Sequence, residues 1–125
     1  MANPVVYVVE DDEAVRNALA LLICSQGWEV RVFDSASAFL EAGLPPKESL
    51  PCLLLDLDLG DMNGAELQEY LQAQEHNLPT IVVTAKPDHS LARRASDAGA
   101  RAVVSKPFEA TDLIREIEQA LRPAS

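Results

Sequence analysis

The sequence predicts an α/β protein with a flavodoxin-like, doubly wound (βα)5 fold whose five-stranded parallel sheet has the order 2-1-3-4-5. Apolar, β-rich runs alternate with helical patterns along all 125 residues, which favours a parallel sheet with helices on both faces. The first run, "PVVYVVE", is almost continuously apolar, as is typical of a strand covered on both faces. The second run, "WEVRVF", alternates apolar and polar residues and therefore indicates an edge strand, which selects this strand order.

Each strand is predicted from a run rich in Val, Ile and Leu that is bounded by turn residues. The predicted strands are residues 4–10, 28–33, 51–56, 79–84 and 101–105. We expect the first helix to be capped by Asp12 and to end at Gly27, and the short second helix, which contains Phe39 and Leu40, to end at Gly43.

Apolar residues at helical spacing mark the buried faces of the other helices. These stripes are Val15, Ala18, Leu19, Leu22 and Ile23 in helix 1; Leu67, Tyr70 and Leu71 in helix 3; Leu91, Ala95 and Ala98 in helix 4; and Leu113, Ile114, Ile117, Ala120 and Leu121 in helix 5. The stripe of helix 4 is thin, and we expect that helix to be the most loosely packed.

The length fits one domain, residues 1–125, and the formal net charge of -10 disfavours direct binding to nucleic acid. No apolar run is long enough to span a bilayer and no signal-peptide pattern opens the sequence, so we expect a cytoplasmic protein with no membrane contact. Cys24 and Cys52 are interpreted as buried thiols in a reducing compartment, and His76 and His89 as ordinary surface histidines.

Polar residues occur at the carboxyl ends of four predicted strands. Strand 1 ends in Glu10 and Asp11, strand 3 in Asp56, strand 4 in Thr84 and strand 5 in Lys106. The carboxyl ends of parallel strands meet at one sheet edge, and ligands of such sheets bind there. A single polar strand end commonly only caps the next helix, which is our interpretation of Asp12, but four complementary ends indicate a site.

Clustered carboxylates either raise a pKa or bind a cation, because like charges about 4 Å apart repel by roughly 4 kcal/mol. All-oxygen carboxylate sites suit Mg²⁺, which also accepts substrate phosphate as a ligand. Asp56 is then the predicted nucleophile for phosphoryl transfer, since a carboxylate needs no base. The ammonium of Lys106 and the hydroxyl of Thr84 would stabilise phosphoryl oxygens.

The sequence resembles the receiver domain of two-component response regulators along essentially its whole length. The matching pieces are "VVEDD", "LLLDLDLGDMNG", "IVVTA" and "VVSKPF", in that order. The resemblance implies that Asp56 accepts a phosphoryl group from a sensor histidine kinase and that Asp11 and Asp56 bind Mg²⁺ directly. It further implies that the backbone carbonyl of Asp58 is another ligand and that Glu10 contributes through water.

The resemblance also implies a cis peptide bond between Lys106 and Pro107. The expected output surface comprises helix 4, strand 5 and helix 5, which would control an output domain or effector protein. The pattern of strand 3 and helix 3 looks most like receivers of helix-turn-helix transcription factors, and a second, phosphorylated copy of the domain is a further expected partner.

Three positions depart from the family pattern. Gly60 stands where the family usually has Pro, which predicts a more mobile loop, and Val103 replaces the family's switch aromatic. Asp58 and Lys86 occupy the variable positions that tune dephosphorylation. These two side chains either pair across the mouth of the site and exclude water or are solvated without effect.

Two other functions are consistent with parts of the sequence. "DLDLG" also resembles the first motif of haloacid-dehalogenase-type phosphatases, in which Asp56 would be the nucleophile and Asp58 a general acid and base. That motif should lie near the N-terminus, whereas here Glu10 and Asp11 precede it. A receiver fold that signals without phosphorylation is the third interpretation. It is disfavoured by the complete set of site residues but supported by Val103.

Overall fold

The computed structural model describes residues 4–60 and 62–121. The strands are β1 (Val5–Val9), β2 (Glu29–Phe33), β3 (Pro51–Leu55), β4 (Thr80–Thr84) and β5 (Ala102–Ser105). The helices are α1 (Glu13–Ser25), α2 (Ala36–Glu41), α3 (Gly64–Ala73), α4 (Ser90–Asp97) and α5 (Ala110–Leu121), with a short 3₁₀ turn at Lys47–Ser49.

The strands form one parallel sheet in the order β2-β1-β3-β4-β5, which confirms the predicted topology. β1 and β3 are neighbours in the middle of the sheet, and Val9 is in register with Leu55. Their chains therefore leave the sheet side by side, and the next residues, Glu10 and Asp56, emerge at the same edge. The half-exposed β2 is an edge strand, as its alternating sequence predicts.

The core lies on both faces of the sheet because neighbouring residues of a strand point to opposite sides. Leu53 and Leu55 of β3 pack with Phe39 and Leu67 under α2 and α3. On the other face, Leu54 belongs to a separate cluster with residues of α1 and α5, including Ile23, Leu113 and Ile117. Each fully buried side chain of this kind contributes about 1.5–3 kcal/mol, so the central strands are firmly held.

Two predicted helix boundaries of α1 are confirmed. The carboxylate of Asp12 accepts a hydrogen bond of 3.0 Å from the backbone N–H of Val15 and so caps the helix. Gly27 follows the helix with a φ of +84°, a left-handed conformation that glycine adopts without strain. The N-terminus of α3 is closed by a reciprocal capping box between Asn63 and Glu66, which fixes the direction in which that helix leaves the β3 loop.

Several predictions about burial are wrong. Tyr70 is 41% exposed, and Gln68 is buried on α3 in addition to Leu67 and Leu71. Cys24 is exposed, because it follows the inward-facing Ile23 and one residue turns a helix by about 100°.

Cys52 is buried as predicted, and burial raises the pKa of its thiol to about 12. His89 is exposed as predicted, whereas His76 is half-buried and its Nε2 lies 2.9 Å from the carbonyl oxygen of Pro45. Across the described part of the chain, no helix has both the length and the apolar character that a bilayer crossing requires.

Candidate functional site

The four predicted strand ends meet at the carboxyl edge of the sheet. The backbone N–H of Glu10 donates to the carbonyl of Phe33 at 3.0 Å, and that of Asp56 donates to Val9 at 3.1 Å. The backbone N–H of Lys106 donates to the carbonyl of Thr84 at 2.8 Å. These bonds continue the strand ladders by one residue, so each polar side chain is held by the sheet and not by a loose loop.

Three carboxyl groups lie together at this edge. Glu10, Asp11 and Asp56 each offer an oxygen, and these oxygens lie within 4.8 Å of one another. Glu10 is 2% exposed and Asp56 is 6% exposed, whereas Asp11 is open to solvent. Buried carboxylates this close repel strongly unless a cation or a proton compensates their charge.

Lys106 supplies a positive charge to the cluster. Its Nζ lies 2.7 Å from Oε1 of Glu10 and 3.6 Å from Oδ1 of Asp56. The ammonium therefore contacts Asp56, as the sequence predicts, but its shorter hydrogen bond goes to Glu10. The peptide bond between Lys106 and Pro107 is cis, as the family resemblance implied.

Burial and charge separate the pKa values of the acids. Burial, followed by the hydrogen bond and the charge of Glu10, raises the pKa of Asp56 to about 7. Burial also acts to raise the pKa of Glu10, but the hydrogen bond from Lys106 and further hydrogen bonds outweigh it, and that pKa is lowered. The pKa of Asp11 is raised by partial desolvation of its carboxylate within the cluster, although the residue is exposed as a whole, and by the hydrogen bond and charge of Glu10.

Lys106 stays protonated in this setting. Burial acts to lower its pKa, but the hydrogen bond to Glu10 and the charges of Asp56 and Glu10 prevail and raise it. Lys106 and Glu10 therefore form an ion pair, and Asp56 is the buried acid that gains most from a further cation.

The donor set fits a hard divalent cation. Three carboxylate oxygens from two adjacent chain segments, one of them open to solvent, match the oxygen ligands and retained waters that Mg²⁺ prefers. Asp58 is exposed and lies outside this group of three side chains. Its backbone N–H donates a long, 3.4 Å hydrogen bond to Oδ1 of Asp56. Binding of the metal by the backbone carbonyl of Asp58 stays a prediction.

Thr84 presents a buried hydroxyl at the end of β4, with 1% of the residue exposed. Its Oγ1 accepts a hydrogen bond of 3.1 Å from the backbone N–H of Lys86. The hydroxyl hydrogen can still be donated, because a hydroxyl carries one donor and two acceptor positions. Thr84 is therefore positioned by the loop that leads to α4 and can sense a new acceptor at the site.

Two residues shape the site in ways that the sequence analysis missed. The Nη1 atom of Arg16 donates to the backbone carbonyls of Glu10 at 3.0 Å and Asp11 at 3.5 Å, so the first turns of α1 hold the acidic loop. Gly64 lies directly against the backbone carbonyl of Asp56, where a Cβ atom would collide. An arginine soon after an acidic run and a glycine at a helix start are weak sequence signals, since both also occur for other reasons.

The structure shows what surrounds each position that departs from the family pattern. A Cβ atom at Gly60 would meet open space, so packing does not require glycine there. Val103 is half-buried and borders a cleft of about 260 Å³ beside α4. Asp58 and Lys86 line one small cavity with Thr84, but among the described residues no ion pair joins them.

The strand order and the acidic cluster at the switch point define a flavodoxin-like protein whose reactive groups lie at the carboxyl edge of the sheet. The sequence model of the response regulator receiver domain matches residues 6–118. The chain belongs to this family of receiver domains, and the haloacid-dehalogenase-type interpretation is not favoured.

Similar proteins extend beyond the length of this chain. The chain is 38% identical over 119 residues to the transcriptional regulatory protein FixJ of Bradyrhizobium diazoefficiens, which covers 95% of this chain and 57% of that protein. It is 37% identical over 121 residues to the response regulator protein TmoT of Ectopseudomonas mendocina, covering 96% of this chain and 54% of TmoT. The chain thus spans little more than half the length of these relatives.

Solved structures show the same architecture. The response regulator StyR is 44% identical with a TM-score of 0.86, and the match covers 96% of this chain and 60% of that one. The crystal structure of FixJ-N is 35% identical, also with a TM-score of 0.86, and the match covers 100% of this chain and 98% of that one. The chain is a receiver domain of the FixJ-like response regulators.

Proposed function

We propose that residues 1–125 act as one phosphoacceptor domain that takes a phosphoryl group on Asp56 with the help of Mg²⁺. The observation that carries the proposal is the placement of Asp56, a buried acid with a raised pKa, next to Glu10, Asp11 and Lys106. A buried carboxyl group surrounded in this way is costly for stability and is therefore a candidate for function.

Each side chain has a separate role in the proposed transfer. An Oδ atom of Asp56 forms a bond to phosphorus while the N–P bond to the donor histidine breaks, and the electron pair stays on the imidazole. Glu10, Asp11 and Asp56 would hold Mg²⁺, which when bound neutralises charge on the phosphoryl oxygens and favours the ionised form of Asp56.

Lys106 and Thr84 act on the phosphoryl group after it arrives. Lys106 is already held near Asp56 by Glu10, so its ammonium can contact a phosphoryl oxygen with a small movement. Thr84 can donate its hydroxyl hydrogen to another phosphoryl oxygen. Both residues belong to the β4 and β5 side of the sheet, so these contacts pull on the strands beside α4.

The partners follow from the family. A sensor histidine kinase supplies the phosphoryl group, and an output domain or effector protein receives the signal. Because the FixJ relatives are transcriptional regulators that continue beyond the matched region, we propose a role in transcription control in the cytoplasm. In this proposal the acidic domain does not itself bind nucleic acid, and it turns over no substrate other than its own phosphoryl group. A second, phosphorylated copy of the domain is a further proposed partner.

Intact-mass measurement after incubation with Mg²⁺ and acetyl phosphate tests the proposal. The wild-type chain is expected to gain one labile phosphoryl group, and Asp56→Asn is expected to gain none. Asp97→Asn is the matched control, because it removes an exposed acid that has no role in the proposed site and should leave labelling intact. Steady release of phosphate would instead indicate a phosphatase, and an unlabelled wild-type chain would indicate a receiver fold that signals without phosphorylation.

A further inference from the structure

A second polar cleft lies at the opposite edge of the sheet from Asp56. It has a volume of about 310 Å³ and lies between the C-terminal ends of α3 and α4, next to the residues that lead into β4. We call it the amino-edge cleft, and its polar lining residues are Gln68, Gln72, His76, Asn77 and Arg101. Its position makes it separate from the proposed phosphorylation site.

Two buried polar atoms belong to residues that line the amino-edge cleft and have no hydrogen-bond partner within the described residues. They are Oε1 of Gln68, a residue only 5% exposed, and Nδ1 of His76. Buried polar atoms almost always have a partner, so each orphaned atom calls for an explanation. Two such atoms beside one cleft point to a ligand that supplies the missing partners.

The existing bonds fix the role of each orphaned atom. Nε2 of Gln68 donates to the carbonyl of Ala98 at 3.1 Å, and since a carbonyl only accepts, Oε1 is the remaining acceptor. Nε2 of His76 lies 2.9 Å from the carbonyl oxygen of Pro45, so Nε2 carries a hydrogen, and with the hydrogen there Nδ1 of an uncharged imidazole is an acceptor. A ligand must therefore donate hydrogen bonds to both.

Arg101 defines the other end of the ligand. It is the only charged residue among those described around the cleft, and its guanidinium suits a carboxylate. A simple anion would be repelled by a chain with a net charge of -10, but a zwitterion is not. An ammonium group for Gln68 and His76 together with a carboxylate for Arg101 describes an α-amino acid.

We propose that the amino-edge cleft binds a free α-amino acid. A ligand reaches the two buried acceptors only when the wall of the cleft moves, and Gln72 and Asn77, which line the cleft, are exposed side chains of the kind that change rotamer rapidly. Gln72 and Ala98 also border an adjoining hollow of about 190 Å³ with Glu69, Arg94 and Asp97. This polar hollow would take the side chain of the amino acid, which favours a polar one.

NMR titration of the ¹⁵N-labelled chain tests the proposal with L-glutamine as the probe. We expect saturable shifts at residues 68–79 and 98–101, with residues 10 and 56 unaffected. The matched probes are glutaramate, which lacks the α-ammonium, and 4-aminobutanamide, which lacks the α-carboxylate. Each should bind about tenfold more weakly or worse, the usual loss for a charge-assisted hydrogen bond. Equal binding of all three probes, or no saturable shift with any, would overturn the proposal; the latter outcome would mean that water satisfies the orphaned atoms.

Variants separate the cleft from general effects on the fold. Arg101→Gln changes an exposed residue and should weaken L-glutamine binding about tenfold or more, while Arg115→Gln, an exposed arginine outside the cleft, should not. L-Glutamine should raise the Tm of the wild type but not of Arg101→Gln. Asp56→Asn should bind L-glutamine normally, so this proposal can fail while the proposed phosphorylation stands. Unchanged binding by Arg101→Gln would count against the cleft.

Discussion

Asp56 lies between opposing influences at the residue scale. Burial and Glu10 favour its protonated form, while Lys106 favours the ionised form from 3.6 Å away. Lys106 is closer to Glu10, so its positive charge mainly neutralises the carboxylate of Glu10. The site therefore has room for one more positive charge, which is the physical reason that a divalent cation and a phosphoryl group would be bound together.

The raised pKa of Asp56 predicts a pH-dependent stability without metal. Between about pH 4 and pH 7 the folded protein holds a proton that the unfolded chain has released, so the free energy of unfolding falls as pH rises through this window. The loss is at most about 4 kcal/mol. Asp56→Asn should remove this loss and be more stable than the wild type at about pH 8, as measured by urea denaturation in EDTA.

The control for this pH prediction is Asp58→Asn, which changes an exposed acid two residues away and should keep the wild-type pH profile. Adding Mg²⁺ should restore stability to the wild type at high pH and do much less for Asp56→Asn. An identical pH profile for wild type and Asp56→Asn would show that the pKa of Asp56 is not raised in solution.

Removal of the Lys106 charge should destabilise the metal-free domain. Lys106→Met leaves Glu10 and Asp56 buried without a cation, which should lower the free energy of unfolding by about 3 kcal/mol, the low end for a broken buried ion pair because Lys106 is partly exposed. Added Mg²⁺ should recover part of that loss, because it supplies the missing charge. Urea denaturation with and without Mg²⁺ measures both effects.

Arg115→Met is the matched control for the lysine substitution, since the ion pair of Arg115 with Asp112 is exposed on both sides. Exposed pairs contribute little, so this change should have a minor effect. If Lys106→Met were as stable as Arg115→Met in EDTA, the buried ion pair would not support the domain.

At the scale of elements, the start of α3 is fitted against the loop that carries Asp56. The capping box of Asn63 and Glu66 directs the helix, and the backbone N–H of Gly64 donates to the carbonyl of Leu57 at 3.0 Å. Because Gly64 lacks a Cβ atom, the helix can approach the backbone of Asp56 closely. The helix thereby fixes the direction of the Asp56 loop.

This fit predicts that Gly64→Ala damages the site from outside it. The new methyl group would collide with the backbone of Asp56, which should lower the free energy of unfolding by about 1–3 kcal/mol and slow labelling by acetyl phosphate. Gly60→Ala is the control in the same loop, where a methyl group has open space. Equal labelling rates for the two variants would contradict the role assigned to Gly64.

At the scale of the whole molecule, a signal must travel from the carboxyl edge to a surface that a partner reads. Thr84 and Lys106 end the two strands beside α4, and in the described chain α4 buries only Ala92 and Ala95 within its own length. We expect phosphorylation to shift α4 and β5, with a coupling of about 1–3 kcal/mol. The loose packing of α4 stays a prediction.

Hydrogen exchange measures this expected movement. Phosphorylation should change exchange at residues 86–105, while the buried part of α1 around Leu19 and Ile23 serves as the internal control. Because the coupling is small, the protected core strands should not change. If the exchange rates at residues 86–105 did not change on phosphorylation, the output surface would lie elsewhere.

The sequence by itself determined the parallel sheet, its strand order and which polar residues lie at its carboxyl edge. Apolar runs of strand length and the βα alternation admit few other arrangements, and the carboxyl ends of parallel strands converge wherever such a sheet forms. Local signals also sufficed for the cap at Asp12 and the turn at Gly27, because both depend on neighbouring residues only.

Only the tertiary structure decided how the charges are paired and which side chains are buried at the margins. Three contacts depend on distances between separate elements and could not be read from the sequence. Lys106 bonds more closely to Glu10 than to Asp56, Arg16 holds the acidic loop, and Gly64 touches the backbone of Asp56. The outward position of Tyr70 depends on such packing as well. Pairwise energies fall steeply with distance, so a pattern that locates residues at one edge cannot rank their contacts.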